Sequence, residues 1–507
     1  MGNKQTELMG KAPVSKAILK LSIPVVCGMM VQVLYNLVDT FFIGKLHDQN
    51  QLAAAGITTP VFMILMAIAT IVSTGAASYI SRCIGSKDNK SANQTLTTGA
   101  LICAGLGVVV MTVGLLFIKP LITVLGASPE VYPYAKQYVT VMLIGALPVM
   151  LSFAGGQLLR AEGAVMPSII GMMIGTVVNI VLDPVFIFGF DMGILGAAIA
   201  TVLGNTAALA YYVYYYLAGK SMVKIKPRYI SGSRIIWREI FLIGIPACMS
   251  QMLSSVALIV LNNQAKLYGD TVLAGMGVSS KLMFIGTFIF MGFAAGCQPL
   301  IGYNYGANNY SRVRAIFKTG MIMTAGIGIV LTSCFWFLAK DLVSFFTPLS
   351  EVVTQGALVF RTSIFSFLVL GPQMLATTGI QAFGKAKEAL VLSVARQGLI
   401  YIPLLFLMQS LLGLKGLIWA QPMADALTLG IGLVFLTVIL RKCIGAKAPD
   451  APVLVPDIDT KAPDTPIFVP DVGAKAPDAP VPVPDIGAKA PDAPIFALDG
   501  EGAEAAQ

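Results

Sequence analysis

The sequence predicts an all-α polytopic membrane protein: twelve transmembrane helices in two pseudo-symmetric six-helix lobes. Three observations carry that prediction: composition, twelve span-length apolar runs, and an internal repeat. Hydrophobic residues make up 56% of the 507-residue chain, charged ones only 12%, and mean hydropathy is +0.80. Such values belong to helical membrane proteins. The formal charge of +9 hides two opposite parts, +16 over residues 1–443 and −7 over residues 444–507. The basic excess is spread between apolar runs, so it reads as loops facing the cytoplasm and not as a nucleic-acid surface.

Taken in order, the runs place spans at 17–44, 52–80, 96–118, 136–159, 167–190, 193–217, 241–265, 272–300, 316–339, 353–380, 389–411 and 416–440. Each is long enough to cross a hydrocarbon core. Most Lys and Arg between spans fall at one end of the bundle, where the loops after even-numbered spans lie. Both termini are therefore expected on the cytoplasmic side of a bacterial-type plasma membrane. No cleavable leader is expected, because residues 1–20 are polar and basic and the first apolar run is span-length. Seven cysteines are scattered without metal or redox spacing, and read as packing residues.

The loop from Lys220 to Glu239 divides two halves that resemble each other. Ile23-Pro24 matches Ile245-Pro246; Gly75, Gly85 and Gly163 match Gly296, Gly306 and Gly384 at a shift of 221. Gly193 to Gly196 pairs with Gly413 to Gly416 at a shift of 220. Each half holds an even number of spans, so the repeat is parallel, about an axis along the membrane normal. The expected organisation is a cytoplasmic segment 1–16, an N-lobe 17–218, a basic loop 219–240, a C-lobe 241–443 and a tail 444–507. In that tail a 14-residue unit beginning at Gly445 appears four times with twelve prolines. Such a stretch is expected to be disordered and extended, and the sequence assigns it no function.

Polar residues inside the spans mark the candidate site. Gln32, Tyr35, Asn36 and Asp39 share one helical face of the first span. A carboxylate there is costly, by roughly 2.5–3.5 kcal/mol on insertion scales, so it should face protein or water. One reading makes Asp39 a hydrated acid at the end of its helix. The other joins it to Asp183, a second acid at similar depth. Asn179 and Asp183 are one turn apart in the fifth span, Pro184 follows, and Thr201 in the sixth adds a hydroxyl. Oxygen ligands beside a proline-broken helix suit Na⁺, whereas paired carboxylates in a low dielectric suit a proton site. The residues leave that choice open. In the second half Asp425 is the embedded acid, paired by the repeat with Asn205, and Lys281, Arg361 and Arg396 lie in or near its spans. They either counter these acids and anionic ligands or snorkel. The only histidine, His47, falls in an outer loop, and no HExxH, P-loop or GxSxG motif is present. No enzyme chemistry and no cofactor is expected.

Pro24, the Gln32–Asp39 ladder ending at Phe42-Ile43-Gly44, Leu52 to Gly56, Arg160 to Gly163 and Asn179-x-x-x-Asp183-Pro184 resemble the MATE (multidrug and toxic compound extrusion) family. In the second half Gln298-Pro299, Gly302 to Ala307 and Gln381 to Gly384 do so too. The resemblance covers about residues 15–442 and implies two six-helix lobes around a cavity that opens alternately to either side. It also implies exchange of drugs, mainly amphipathic organic cations, against H⁺ or Na⁺. Asp39, Asn179, Asp183 and Thr201 match the cation site of its DinF-like branch. The branch with acids in the seventh helix fits less well, since that stretch reads Leu261-Asn262-Asn263-Gln264. Small-molecule drugs and dyes and the lipid bilayer are the expected partners, with a monomer favoured. Rival readings are a flippase of a lipid-linked precursor and a membrane receptor or scaffold that moves nothing.

Overall fold

The computed structural model describes residues 2–44, 48–347 and 349–445. His47 and the repeated tail lie outside them. After a short helix α1 (Gly2–Gly10), the N-terminal half contains α2 (Val14–Gly44), α3 (Gln49–Gly85), α4 (Asn89–Leu116), α5 (Ile118–Val124), α6 (Tyr132–Ile144), α7 (Ala146–Ala161), α8 (Val165–Pro184) and α9 (Gly193–Leu217). The second half contains α10 (Arg234–Lys266), α11 (Asp270–Gly306), α12 (Tyr310–Ser344), α13 (Ser350–Ser363), α14 (Phe367–Ala382), α15 (Ala386–Val394), α16 (Tyr401–Leu412) and α17 (Leu414–Gly445). Among the described residues eleven helices are long and apolar enough to cross a membrane, or twelve if one bent pair is a single span.

That bent pair refines the expected fourth span, 136–159. It is α6 and α7, meeting at 54°. The break follows from Pro148, which has no N–H to give the carbonyl of Ile144. At the break Gly145 also lets the chain pass Val202, whose side-chain atoms would lie 2.3–3.0 Å from a methyl at that position. The tenth span is continuous from Ser350 to Ala382 through a 3₁₀ turn at Ile364–Ser366, and the eleventh runs through a π-helical turn at Ala395–Ile400. Helices α3 and α11 have 37 residues each, so at 1.5 Å per residue they run ~55 Å and extend past the lipid core.

The repeat is visible in the backbone as well as in the letters. Lys87 and Asn308 both have positive φ, +64° and +55°, and each precedes an N-cap one residue on. Asp88 Oδ1 accepts from the Ser91 N–H at 3.0 Å, and Asn309 Oδ1 accepts from the Arg312 N–H at 3.2 Å. Gly163 and Gly384 end α7 and α14 at φ +80° and +72°, a region that only glycine occupies without strain.

Repeat glycines also form the seam between the halves. Methyls at Gly75 and Gly85 would collide with the backbone of Ile240 and Tyr303; methyls at Gly296 and Gly306 would collide with Ser22 and the backbone of Arg82. The backbones of α3 and α10, and of α2 and α11, therefore approach closely toward the basic end, as small residues allow in lipid. Ser78 Oγ donates to the Gln381 carbonyl across this seam, and Arg82 pairs with Glu239. At the opposite end Gly56 and Gly277, another repeat pair, have open space within 4 Å of where a methyl would sit. The two halves are in backbone contact at the basic end of the bundle.

Two further devices hold the basic end. The carbonyl of Met9 in α1 accepts from Asn304 Nδ2 at 3.0 Å and Arg312 Nε at 3.1 Å, while the Met9 side chain fills the space beside Gly163. Glu162, just past α7 and 1% exposed, accepts at Oε2 from the hydroxyl of Ser221 and from the N–H groups of Met222 and Val223. It thereby ties the inter-lobe loop to the first half. Burial pushes its carboxyl up to about 7, although these three donors favour the charged form.

Two tests follow from the seam and the clamp. Gly85→Val or Gly306→Val is expected to part the basic end, lengthening spin-label distances across it. Gly56→Val, facing open space, should leave those distances alone and change stability by no more than about 0.5 kcal/mol. An unchanged distance in both seam variants would contradict this reading of the seam. Because the folded value for Glu162 is raised from 4.5 to about 7, its contribution is fully present below pH 4.5 and lost as pH rises through 7. Amide exchange at Met222 and Val223, corrected for its intrinsic pH dependence, should therefore quicken from pH 5 to pH 8. Glu162→Gln should flatten that profile.

Candidate functional site

The expected site residues of the first half lie on α2, α8 and α9. Helix α8 carries two stripes at four-residue spacing. Met173, Val177 and Val181 are exposed and face outward, whereas Gly171, Gly175, Asn179 and Asp183 are buried. The polar stripe faces α9. Close approach is possible because glycine faces glycine: a methyl on Gly204 would lie 2.6 Å from the Gly175 carbonyl and 2.9 Å from Asn179 Cβ. A residue of ordinary size at either position would wedge the pair apart.

This approach brings Asn179 and Thr201 together, with Asn179 Nδ2 donating to Thr201 Oγ1 at 3.4 Å. Asn179 is 3% exposed, Thr201 6% and Asp183 0%, so all three are withdrawn from lipid and bulk water. Asp183 lies one turn beyond Asn179 on the same face. Pro184 then interrupts the α-helical ladder, and a π-helical turn spans Val185–Gly189. Asn205, the next turn of α9, donates back to the Thr201 carbonyl at 2.9 Å. A framework behind the site fixes α8: Arg160 Nη1 donates to Ser168 Oγ at 2.8 Å, and Tyr212 Oη donates to the Ser168 carbonyl at 2.8 Å.

The side chains of Tyr35, Asn36 and Asp39 lie outside the described residues; Gln32 is half-buried on α2. The backbone still fixes the depth of Asp39. Gly28 of α2 packs against Ile169, whose Cγ1 would be 3.4 Å from a methyl there, and α2 and α8 ascend in the same direction. Eleven residues further along each helix are Asp39 and Ile180, three residues short of Asp183. The two acids are therefore at similar height, within about one helical turn.

The donor set fits a hard cation or a proton. Asn179 Oδ1 is buried and has no hydrogen-bond partner among the described residues. A buried acceptor left open in this way costs stability unless something else satisfies it. The other candidate groups of this site are also oxygens, the chemistry of Na⁺ rather than of a soft metal.

In the second half the cations separate. Arg396 Nε donates to Asp425 Oδ1 at 3.0 Å, so it is a counter-charge. Arg361 is instead held by the Trp336 carbonyl at 3.3 Å and lies over that ring, while Lys281 is exposed. Gln421, which adds a second donor to Asp425 Oδ1 at 3.1 Å, was not singled out from the sequence. The repeat shift of 220, which aligns it with Thr201, was the available signal.

Comparison with known proteins agrees with this architecture. The MatE family model matches twice, over residues 24–185 and 246–407. The Multidrug export protein MepA of Staphylococcus aureus (strain NCTC 8325 / PS 47) is 34% identical over 427 residues, covering 84% of this chain and 94% of that protein. MepA of Staphylococcus saprophyticus is 31% identical over 430 residues, with the same coverage. Among solved structures, the outward-facing conformation of a multidrug resistance MATE family transporter of the MOP superfamily superposes with a TM-score of 0.83 at 26% identity, over 87% of this chain and 99% of that one. A MOP superfamily transporter from Pyrococcus furiosus, titled for the reverse polarity of its binding pocket, gives a TM-score of 0.82 at 28% identity with the same coverage. With its two matched halves, its twelve-span architecture and relatives aligned along most of their length, the chain belongs to the MatE family of membrane transporters.

Proposed function

We propose that the protein is a multidrug exporter that moves amphipathic, mainly cationic, organic compounds out of the cell in exchange for H⁺ or Na⁺. The observation that carries this reading is an acid, Asp183, held at 0% exposure one helical turn from Asn179 inside an apolar helical bundle. A carboxylate at that depth is retained at a cost and favours a role in ion coupling. Backbone contact between the halves at the basic end is what an outward-facing arrangement requires, with both termini cytoplasmic as the charge bias of the loops favours. The relatives named for multidrug export support the substrate class. Loading of the N-lobe site by a cation would bias one lobe arrangement, and the drug the other; such differential affinity is what couples two ligands through one conformational change.

Dye uptake into inverted vesicles, driven in turn by an imposed proton or Na⁺ gradient, tests the reading and identifies the ion. Uptake under neither gradient would contradict it. If Asp39 and Asp183 serve one site, Asp183→Asn and Asp39→Asn should each reduce gradient-driven uptake by about tenfold or more at equal folded abundance, and the double variant should be scarcely worse. Losses that multiply, or near-normal uptake in both single variants, would return Asp39 to the role of a hydrated helix-end acid.

A further inference from the structure

The C-lobe carries an ion pair at the depth where the N-lobe carries its polar site. Asp425 Oδ1 accepts from Arg396 Nε at 3.0 Å and from Gln421 Nε2 at 3.1 Å. Arg396 and Asp425 fall near the middle of the spans Ala386–Leu412 and Leu414–Lys442, so the pair lies near the bilayer midplane. The repeat aligns Arg396 with Gly175 at a shift of 221, and Gln421 and Asp425 with Thr201 and Asn205 at 220. In the N-lobe this crossing is shut by the backbone contact of Gly175 with Gly204. In the C-lobe the same crossing holds the Arg396 guanidinium, on a π-helical turn at Ala395–Ile400, and the Asp425 carboxylate on α17.

A purely structural bridge explains this poorly. Buried ion pairs rarely out-stabilise apolar packing of similar volume, and the other lobe closes the crossing with glycines. The two partners are also unequally enclosed: the Asp425 side chain is 1% exposed and that of Arg396 19%. Only Nε of Arg396 has a hydrogen-bond partner among the described residues, and its Nη groups are not among the buried unpartnered atoms. A guanidinium at this depth is unfavourable against lipid, which favours a polar partner for its open N–H groups. A buried acid holding one edge of an arginine while the other edge stays free is an arrangement suited to receiving a second carboxylate. Because Asp425 already neutralises the arginine, a simple anion would leave the site net negative. A zwitterion brings its own cation.

We propose that Arg396, held by Asp425 and Gln421, is a C-lobe subsite for the carboxylate of zwitterionic amphipathic substrates; this rests on the drug-export reading. The test compares a xanthene dye bearing a free carboxylate with the methyl ester of the same dye. Binding to the purified full chain is followed by fluorescence anisotropy, and efflux from cells is normalised to folded protein. In Arg396→Gln/Asp425→Asn, which keeps a neutral hydrogen-bonding pair, the carboxylate-to-ester ratio should fall about tenfold in both measurements. Arg396→Lys, retaining charge without the planar fork, should lie between that variant and the unaltered protein, and it decides the matter if the double variant does not fold. An unchanged ratio, or equal loss of both dyes, would overturn the subsite and leave a structural bridge. If the unaltered protein exports neither dye yet the binding ratio still falls, the export reading fails and the subsite stands. If both dyes are exported and the ratio does not move, the reverse holds.

Discussion

A carboxylate in the hydrocarbon core is tolerable only when it is withdrawn from lipid, and the burial of Asp183 at 0% exposure meets that constraint. The buried face of α8 that carries Asp183 packs on α9, and the two helices approach closely enough for an amide on one to meet a hydroxyl on the other. That approach depends in turn on Gly175 and Gly204, where any Cβ would strike backbone. Small residues at a crossing thus do electrostatic work, because they decide whether polar side chains behind them can reach one another.

The duplication repeats the frame and varies the filling. Backbone features that set loop geometry recur at the repeat shift, including positive φ at Lys87 and Asn308 and at Gly163 and Gly384. The interior does not recur. Where one lobe places Thr201 and Asn205, the other places Gln421 and Asp425, and where one has Gly175 the other has Arg396. Two lobes that share a frame can rock as similar bodies, while different interiors allow them to bind different partners.

Closure at the basic end rests on geometry more than on charge. The Arg82–Glu239 pair is partly exposed, at 16% and 26%, and such pairs contribute little. The glycine contacts between α3 and α11 and between α2 and α11 are more selective, since they admit only one separation of the backbones. The pinned helix α1 and the loop held by Glu162 add links from the same end to both halves.

Much of this was legible in the sequence for a physical reason: lipid enforces long apolar helices, so span number, lobe count and the repeat can be read from hydropathy and glycine spacing. Asn179 and Asp183 could be placed on one face because helical periodicity is local. Contacts between helices are not local. The bend at Gly145, the meeting of Asn179 with Thr201 and the choice of Arg396 over Arg361 and Lys281 as partner of Asp425 each depend on how neighbouring helices cross. Three cations near one acid looked alike along the chain. Only the packing of α15 and its π-helical turn against α17 decided which of them could reach it, because a side chain's reach is short and the direction it takes is set by the helix that carries it.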